Sequence, residues 1–159
     1  MKFLNRKLFF RSLRAKYRIP PSDQYFWDAF EGLRSFLLSA RTSQRKLEAA
    51  TRGLDGVLRV RTPVFVFGDK IAGWSELGMR RQHSPIRVAG LEEALALIHE
   101  HGHFRDKRGF VDNYYICDSS FSWFVVFCHE NDWHVFLTCR QSARPKFADW
   151  VRKNGVRQI

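Results

Sequence analysis

Three cysteines, Cys117, Cys128 and Cys139, are all that the 159 residues contain, and no two stand at CxxC spacing. An odd count without that spacing argues against a disulfide framework and predicts reduced thiols in a cytoplasmic setting. No apolar run approaches the roughly 20 residues of a membrane-spanning helix, so no transmembrane segment is expected. A secretory signal is not expected either, because Arg6, Lys7 and Arg11 interrupt the apolar residues near the start. A phosphate-binding glycine loop, a dinucleotide fingerprint, a G-x-S-x-G elbow and a paired-carboxylate arrangement are all missing. No repeat or low-complexity tract occurs.

Negative charge is also missing from the first 22 residues. They carry Lys2, Arg6, Lys7, Arg11, Arg14, Lys16 and Arg18 against no acidic side chain. The remaining 137 residues hold 20 basic and 16 acidic groups, so most of the net charge of +11 belongs to this N-terminal segment. The body is therefore not marked as a nucleic-acid-binding surface, although a basic arm over residues 1–18 can hold polyanions non-specifically. Phe3, Leu4, Leu8, Phe9, Phe10 and Leu13 interleave with the basic residues. Residues 1–19 thus read as a basic amphipathic arm or helix with three possible uses: packing on the body, meeting a membrane surface or nucleic acid, or serving as a mitochondrial-type presequence.

What is present in quantity is β-forming sequence. Apolar residues make up 45% of the chain and aromatics 15%, which is the make-up of a globular core and not of a disordered chain. Between about 110 and 140, three runs rich in aromatic and β-branched residues (Val111–Cys117, Ser122–His129 and Trp133–Cys139) are separated by the turns Asp118-Ser119-Ser120 and Glu130-Asn131-Asp132. The pattern predicts a three-stranded antiparallel meander. Its middle run, Trp123-Phe124-Val125-Val126-Phe127, is apolar on both alternating faces and is expected to be a central strand covered on both sides.

Elsewhere, Phe26, Phe30, Leu33 and Leu37 recur at helical spacing, predicting a helix that extends through Phe36. A second helical piece is expected after Thr42 or Ser43, ending at Gly53, and Val57–Phe67 is read as adding strands. Ile86–Ala89 is a short strand candidate, Leu91 opens a helix with an acidic first turn, and a last helix is expected after Ser142–Pro145. The fold class expected is α+β. Residues 20–159 form a single domain whose antiparallel sheet is packed by N-terminal, middle and C-terminal helices.

One stretch matches a catalytic motif. His99-Glu100-His101-Gly102-His103 fits H-E-x-x-H, in which histidines at i and i+4 hold zinc and the glutamate activates a water. A zinc hydrolase using His99, His103 and Glu100 is therefore one reading. The reading adopted is a polar helix end exposing three histidines. Gly102 followed by Phe104–Gly109 looks like a C-cap and exit loop, and Glu130 and His134 are the only downstream third-ligand candidates. The basic residues Arg80, Arg81, Arg105 and Arg108, with Trp74 near them, fall in predicted loops and are candidate partner contacts. Cys128 and Cys139 are candidate cross-strand neighbours, read as small hydrophobes.

The segment from Gly102-His103-Phe104-Arg105 through Gly109–Ile116, Phe121–Phe127 and His129–His134 resembles the C-terminal half of small bacterial immunity proteins, which guard a cell against its own polymorphic or contact-delivered toxins. In that pattern a helix ends at glycine, a strand enters, a Ser-Trp-hydrophobic strand crosses, and a His-Glu turn leads to the last strand. The likeness covers about 50 residues, the span of one supersecondary unit. The basic N-terminal segment departs from it, since many such proteins are acidic. The resemblance implies a non-catalytic module that neutralises a cognate protein toxin by stoichiometric binding. The basic charge of this chain, in turn, suits an acidic contact surface on the toxin.

Overall fold

The structure is a computed structural model, and it describes residues 6–18, 35–38, 44–68, 85–100, 105–106, 109–110, 113–128, 135–139 and 145–158. A helix α1 (Arg6–Tyr17) is followed by strand β1 (Ser35–Leu38), helix α2 (Gln44–Arg52) and a 3-10 turn (Gly53–Gly56). Strands β2 (Val64–Gly68) and β3 (Ile86–Val88) lead to helix α3 (Leu91–Glu100). The short strands β4 (Arg105–Asp106) and β5 (Gly109–Phe110) precede β6 (Tyr114–Asp118), β7 (Trp123–Phe127) and β8 (Val135–Cys139). Helix α4 (Pro145–Lys153) and strand β9 (Arg157–Gln158) close the order.

Seven strands make one sheet in the order β3-β2-β6-β7-β8-β1-β9, and every pairing is antiparallel. A separate two-stranded ladder pairs β4 with β5. The fold is α+β, with the expected meander β6-β7-β8 at its centre. Strand β7 lies fourth of seven, and all five of its residues are buried.

Strand alternation sends the apolar side chains of β2, β6 and β7 to two different cores. On one face Val64, Val66, Tyr114, Ile116, Trp123, Val125 and Phe127 meet Ala50 and Leu54, Leu91, Leu95 and Ile98 of α3, and Phe147 and Trp150 of α4. On the other, Phe65, Phe67, Tyr115, Cys117, Phe124 and Val126 meet Phe9 and Leu13 of α1. The ring of Phe9 sits 5.0 Å from that of Phe65 and 5.3 Å from that of Phe121, within the range of favourable tilted and edge contacts. The N-terminal amphipathic segment is thus a helix whose apolar stripe docks on the sheet.

Local signals explain where the helices begin and end. Glu93 of α3 folds back so that its Oε2 accepts from the backbone N–H of Ala89 at 2.7 Å, covering a donor before the first turn. Helix α4 closes at Gly155, whose φ of 62° is reachable without a Cβ penalty, and the N–H of Val156 then donates to Val151 O at 3.0 Å. The indole N–H of Trp150 donates to Ala50 O at 2.9 Å and ties α4 to α2.

Four expectations need correction. Phe36 and Leu37, read as the end of a helix, lie in β1, which pairs with both β8 and β9. The ladder on both sides satisfies this backbone, and Phe36 still reaches the core, 4.8 Å from the ring of Phe147. Phe26, Phe30 and Leu33 lie outside the described residues. Val57–Arg61 is not a strand: the 3-10 turn carries the helix end onward, and the N–H groups of Val57 and Leu58 both donate to Leu54 O. Cys128 and Cys139 are not opposite one another, because the register sets Cys139 against Trp123. Arg105 lies on β4 opposite Phe110, not in a loop.

The docking of α1 yields a direct test. Phe9→Ala should lower stability by about 3–5 kcal/mol, read as a lower denaturant midpoint with an unchanged m-value. Ala15→Ser on the exposed side of the same helix should change it by less than about 0.5 kcal/mol.

Candidate functional site

Asp118, His99 and Cys117 are buried in the described structure, and each is built into it by a different local device. The first is Asp118, at the end of β6 and wholly buried. Its Oδ1 accepts from the backbone N–H of Ser120 at 2.8 Å, the bond that defines an Asx turn, and from the Ser120 hydroxyl. Its Oδ2 accepts from the backbone N–H of Arg61 at 2.7 Å and from the indole N–H of Trp123 at 3.0 Å. The Ser120 hydroxyl lies 2.8 Å from that of Ser122. The carboxylate thereby joins the β6–β7 turn, the first residue of β7 and the segment entering β2. A carboxylate with four donors is held in one place and has no face turned toward a substrate.

The second is His99, only 3% exposed, on the inner side of α3. The Thr51 hydroxyl donates to Glu48 O at 3.0 Å, which leaves its oxygen to accept from Nε2–H of His99 at 3.2 Å. On the other side of the ring, Nδ1 lies 3.7 Å from Glu48 Oε1, and the imidazole stands edge-on to Phe127 at 5.3 Å. The histidine clasps α2 to α3. Glu100 points the other way, into solvent, where it pairs with Arg52 at 3.1 Å. His99 is therefore not part of an exposed polar helix end, which corrects that reading. The ring thus has Nε2 turned toward Thr51 and Nδ1 toward Glu48. His103 lies outside the described residues, and among the described residues no group of three or more His, Cys, Asp or Glu is placed to hold a metal ion.

The third is Cys117, buried on the face covered by α1. Burial and then the neighbouring Asp118 carboxylate push its thiol well above the ordinary value of 9.0. A thiol so placed is a small core side chain and not a nucleophile. Cys128 is half-buried and is not in a disulfide.

Of the predicted partner contacts, Arg80, Arg81, Arg108 and Trp74 lie outside the described residues, and Arg105 is placed by its backbone on β4. Sequence reasoning treated Asp118 only as a turn former. The signal that could have found it is Asp-x-Ser followed by a tryptophan whose indole N–H needs a buried acceptor. Also missed were Lys16 and Tyr17, which donate to the backbone oxygens of Ser120 and Phe121 and fasten α1 to the β6–β7 turn. No helix among the described residues is long and apolar enough to cross a membrane.

Comparison of the chain with protein-family models, with curated proteins and with solved structures finds no match.

The Asp118 node predicts a large loss on truncation. Asp118→Ala strands the N–H donors of Arg61, Ser120 and Trp123 and should lower stability by about 3 kcal/mol or more. A double-mutant cycle with Trp123→Phe should return a coupling of about 1–2 kcal/mol. Cys117 predicts a pH effect. Between 9.0 and its raised native value, the unfolded chain loses a proton that the folded chain keeps, so stability falls as pH rises. Cys117→Ala should remove about 1.4 kcal/mol per pH unit from that alkaline slope, measured by urea unfolding from pH 8 upward.

Proposed function

We propose that the protein is a non-catalytic binding module that neutralises a cognate bacterial toxin in the cytoplasm by forming a stoichiometric complex with it. The observation that carries this reading is the use made of Asp118. This wholly buried carboxylate has its oxygens turned inward to four donors and serves to position a turn. His99 and Cys117 support the same reading, since both are buried in packing roles. The run Ser122-Trp123-Phe124-Val125-Val126-Phe127, which carries the resemblance to immunity proteins, is the centre of the sheet. A rigid sheet with tied turns suits an inhibitor, because a preorganised surface loses little conformational freedom on binding. The net charge of +11 suits an acidic contact surface on the toxin, where opposite charge speeds encounter. Arg80, Arg81, Arg105, Arg108 and Trp74 remain the proposed contacts on the sequence argument alone.

The test is co-expression, in a bacterial host, with the product of any large reading frame encoded beside this one. This protein should restore growth and elute with that product as a 1:1 complex. Charge reversal at Arg80, Arg81, Arg105 and Arg108 together should weaken the complex. Growth arrest unrelieved by the wild-type chain, with no complex formed, overturns the reading.

A further inference from the structure

We infer that the outward side of α1, built from Leu8, Arg11, Ala15 and the following Arg18, docks an acidic protein surface and forms part of the contact face of the binding module proposed above. Positions 8, 11 and 15 follow one another at i, i+3 and i+7 and share one side of the helix. All four residues are exposed, and Leu8, at 53%, is the exposed large hydrophobic side chain of the described structure. The opposite side of the helix holds Phe9 and Leu13, which are wholly buried.

Helix α1 has five basic residues (Arg6, Lys7, Arg11, Arg14, Lys16) and no acidic one. Neither Arg11 nor Arg18 has an ion pair among the described residues. The helices across the sheet are different. Between them α2, α3 and α4 carry six basic residues and five acidic ones, and they form the pairs Arg52–Glu100 and Arg152–Asp149. Lys16 and Tyr17 fasten α1 to the β6–β7 turn, so the side is presented on a fixed support.

Three polyanionic surfaces compete for such a side, and the geometry favours one. A helix lying in a membrane interface inserts a wide apolar face, and here that face is closed against the sheet. A nucleic-acid strand gains from aromatic platforms, whereas Phe9, Phe10 and Tyr17 are packed on the second core. An exposed leucine among arginines adds nothing to a phosphate contact. It does suit a protein partner, where an apolar anchor sits beside guanidinium groups that grip carboxylates in pairs.

The experiment titrates the full chain with a helical peptide of glutamate and leucine, followed by backbone amide NMR shifts and by affinity at about 0.15 M salt. A mixed-sequence single-stranded oligonucleotide of equal charge and phosphatidylserine vesicles serve as rival probes. Shifts should map to residues 8–18, and the peptide should bind more tightly than either rival. Arg11→Glu with Arg18→Glu should weaken the peptide about tenfold, and Leu8→Ala severalfold. Arg87→Glu with Lys153→Glu, which changes net charge equally, should leave affinity within about twofold. Shifts centred elsewhere, equal loss in the control pair, or tighter binding of the oligonucleotide or vesicles overturns the inference. The two proposals fail separately. A neighbouring toxin bound equally by wild type and by the α1 variants sinks the surface and spares the function. Peptide binding on α1 with no toxin bound does the reverse.

Discussion

Strand β7 carries only aromatic and branched apolar side chains on both faces, and a strand of that kind is stable only if something apolar covers it twice. The rest of the molecule follows from meeting that demand. One face is closed by α2, α3 and α4, which bring Leu54, Ile98, Phe147 and Trp150 against Trp123, Val125 and Phe127. The other is closed by α1, which brings Phe9 and Leu13 against Phe124 and Val126. The neighbouring strands β2 and β6 share the problem and the solution, since their residues also divide between the two cores. The basic N-terminal helix is thus structurally required by the centre of the sheet.

Holding two cores in register needs a fixed point, and Asp118 provides it. A buried carboxylate is unfavourable unless its oxygens are fully bonded. Here the donors come from two separate parts of the chain, Arg61 on one side and the Ser120–Trp123 turn on the other. Because the bonds are directional, they specify where β2 enters and how β6 turns into β7, which packing of similar aromatic rings alone does not. The same turn receives Lys16 and Tyr17 of α1. Charge chemistry inside the protein is therefore used to set geometry.

The outside divides by sign. The helices on one face of the sheet mix acidic and basic residues and pair them, whereas α1 carries only basic ones. This asymmetry is compatible with folding because α1 is held by apolar contacts and by bonds to backbone oxygens, and needs no acidic neighbour. A binding module that meets an acidic partner gains from such an arrangement, since a helix carrying charge of one sign acts on encounter while the scaffold remains undisturbed.

Much of the fold was legible along the chain. The meander, the acidic start of α3, the turn chemistry at Asp118-Ser119-Ser120 and the double-sided apolarity of β7 are local patterns, and local patterns survive into structure because they report on periods of 2 and 3.6 residues. Phe36 and Leu37 were misread because a short apolar run fits either period, and pairing with β8 and β9 decided between them. His99 was misread for a related reason. A motif records spacing but not which side of a helix is covered, and Thr51 and Glu48, about 50 positions earlier, supply what its ring meets. By itself, then, the amino-acid order determined which segments become strands and helices and which are apolar on both sides, because those depend on near neighbours. Only the tertiary structure decided that α1 seals the second face, that Asp118 looks inward to four donors, and that Arg11 and Arg18 are exposed, with no ion pair among the described residues. Each of these depends on groups brought together from distant parts of the chain.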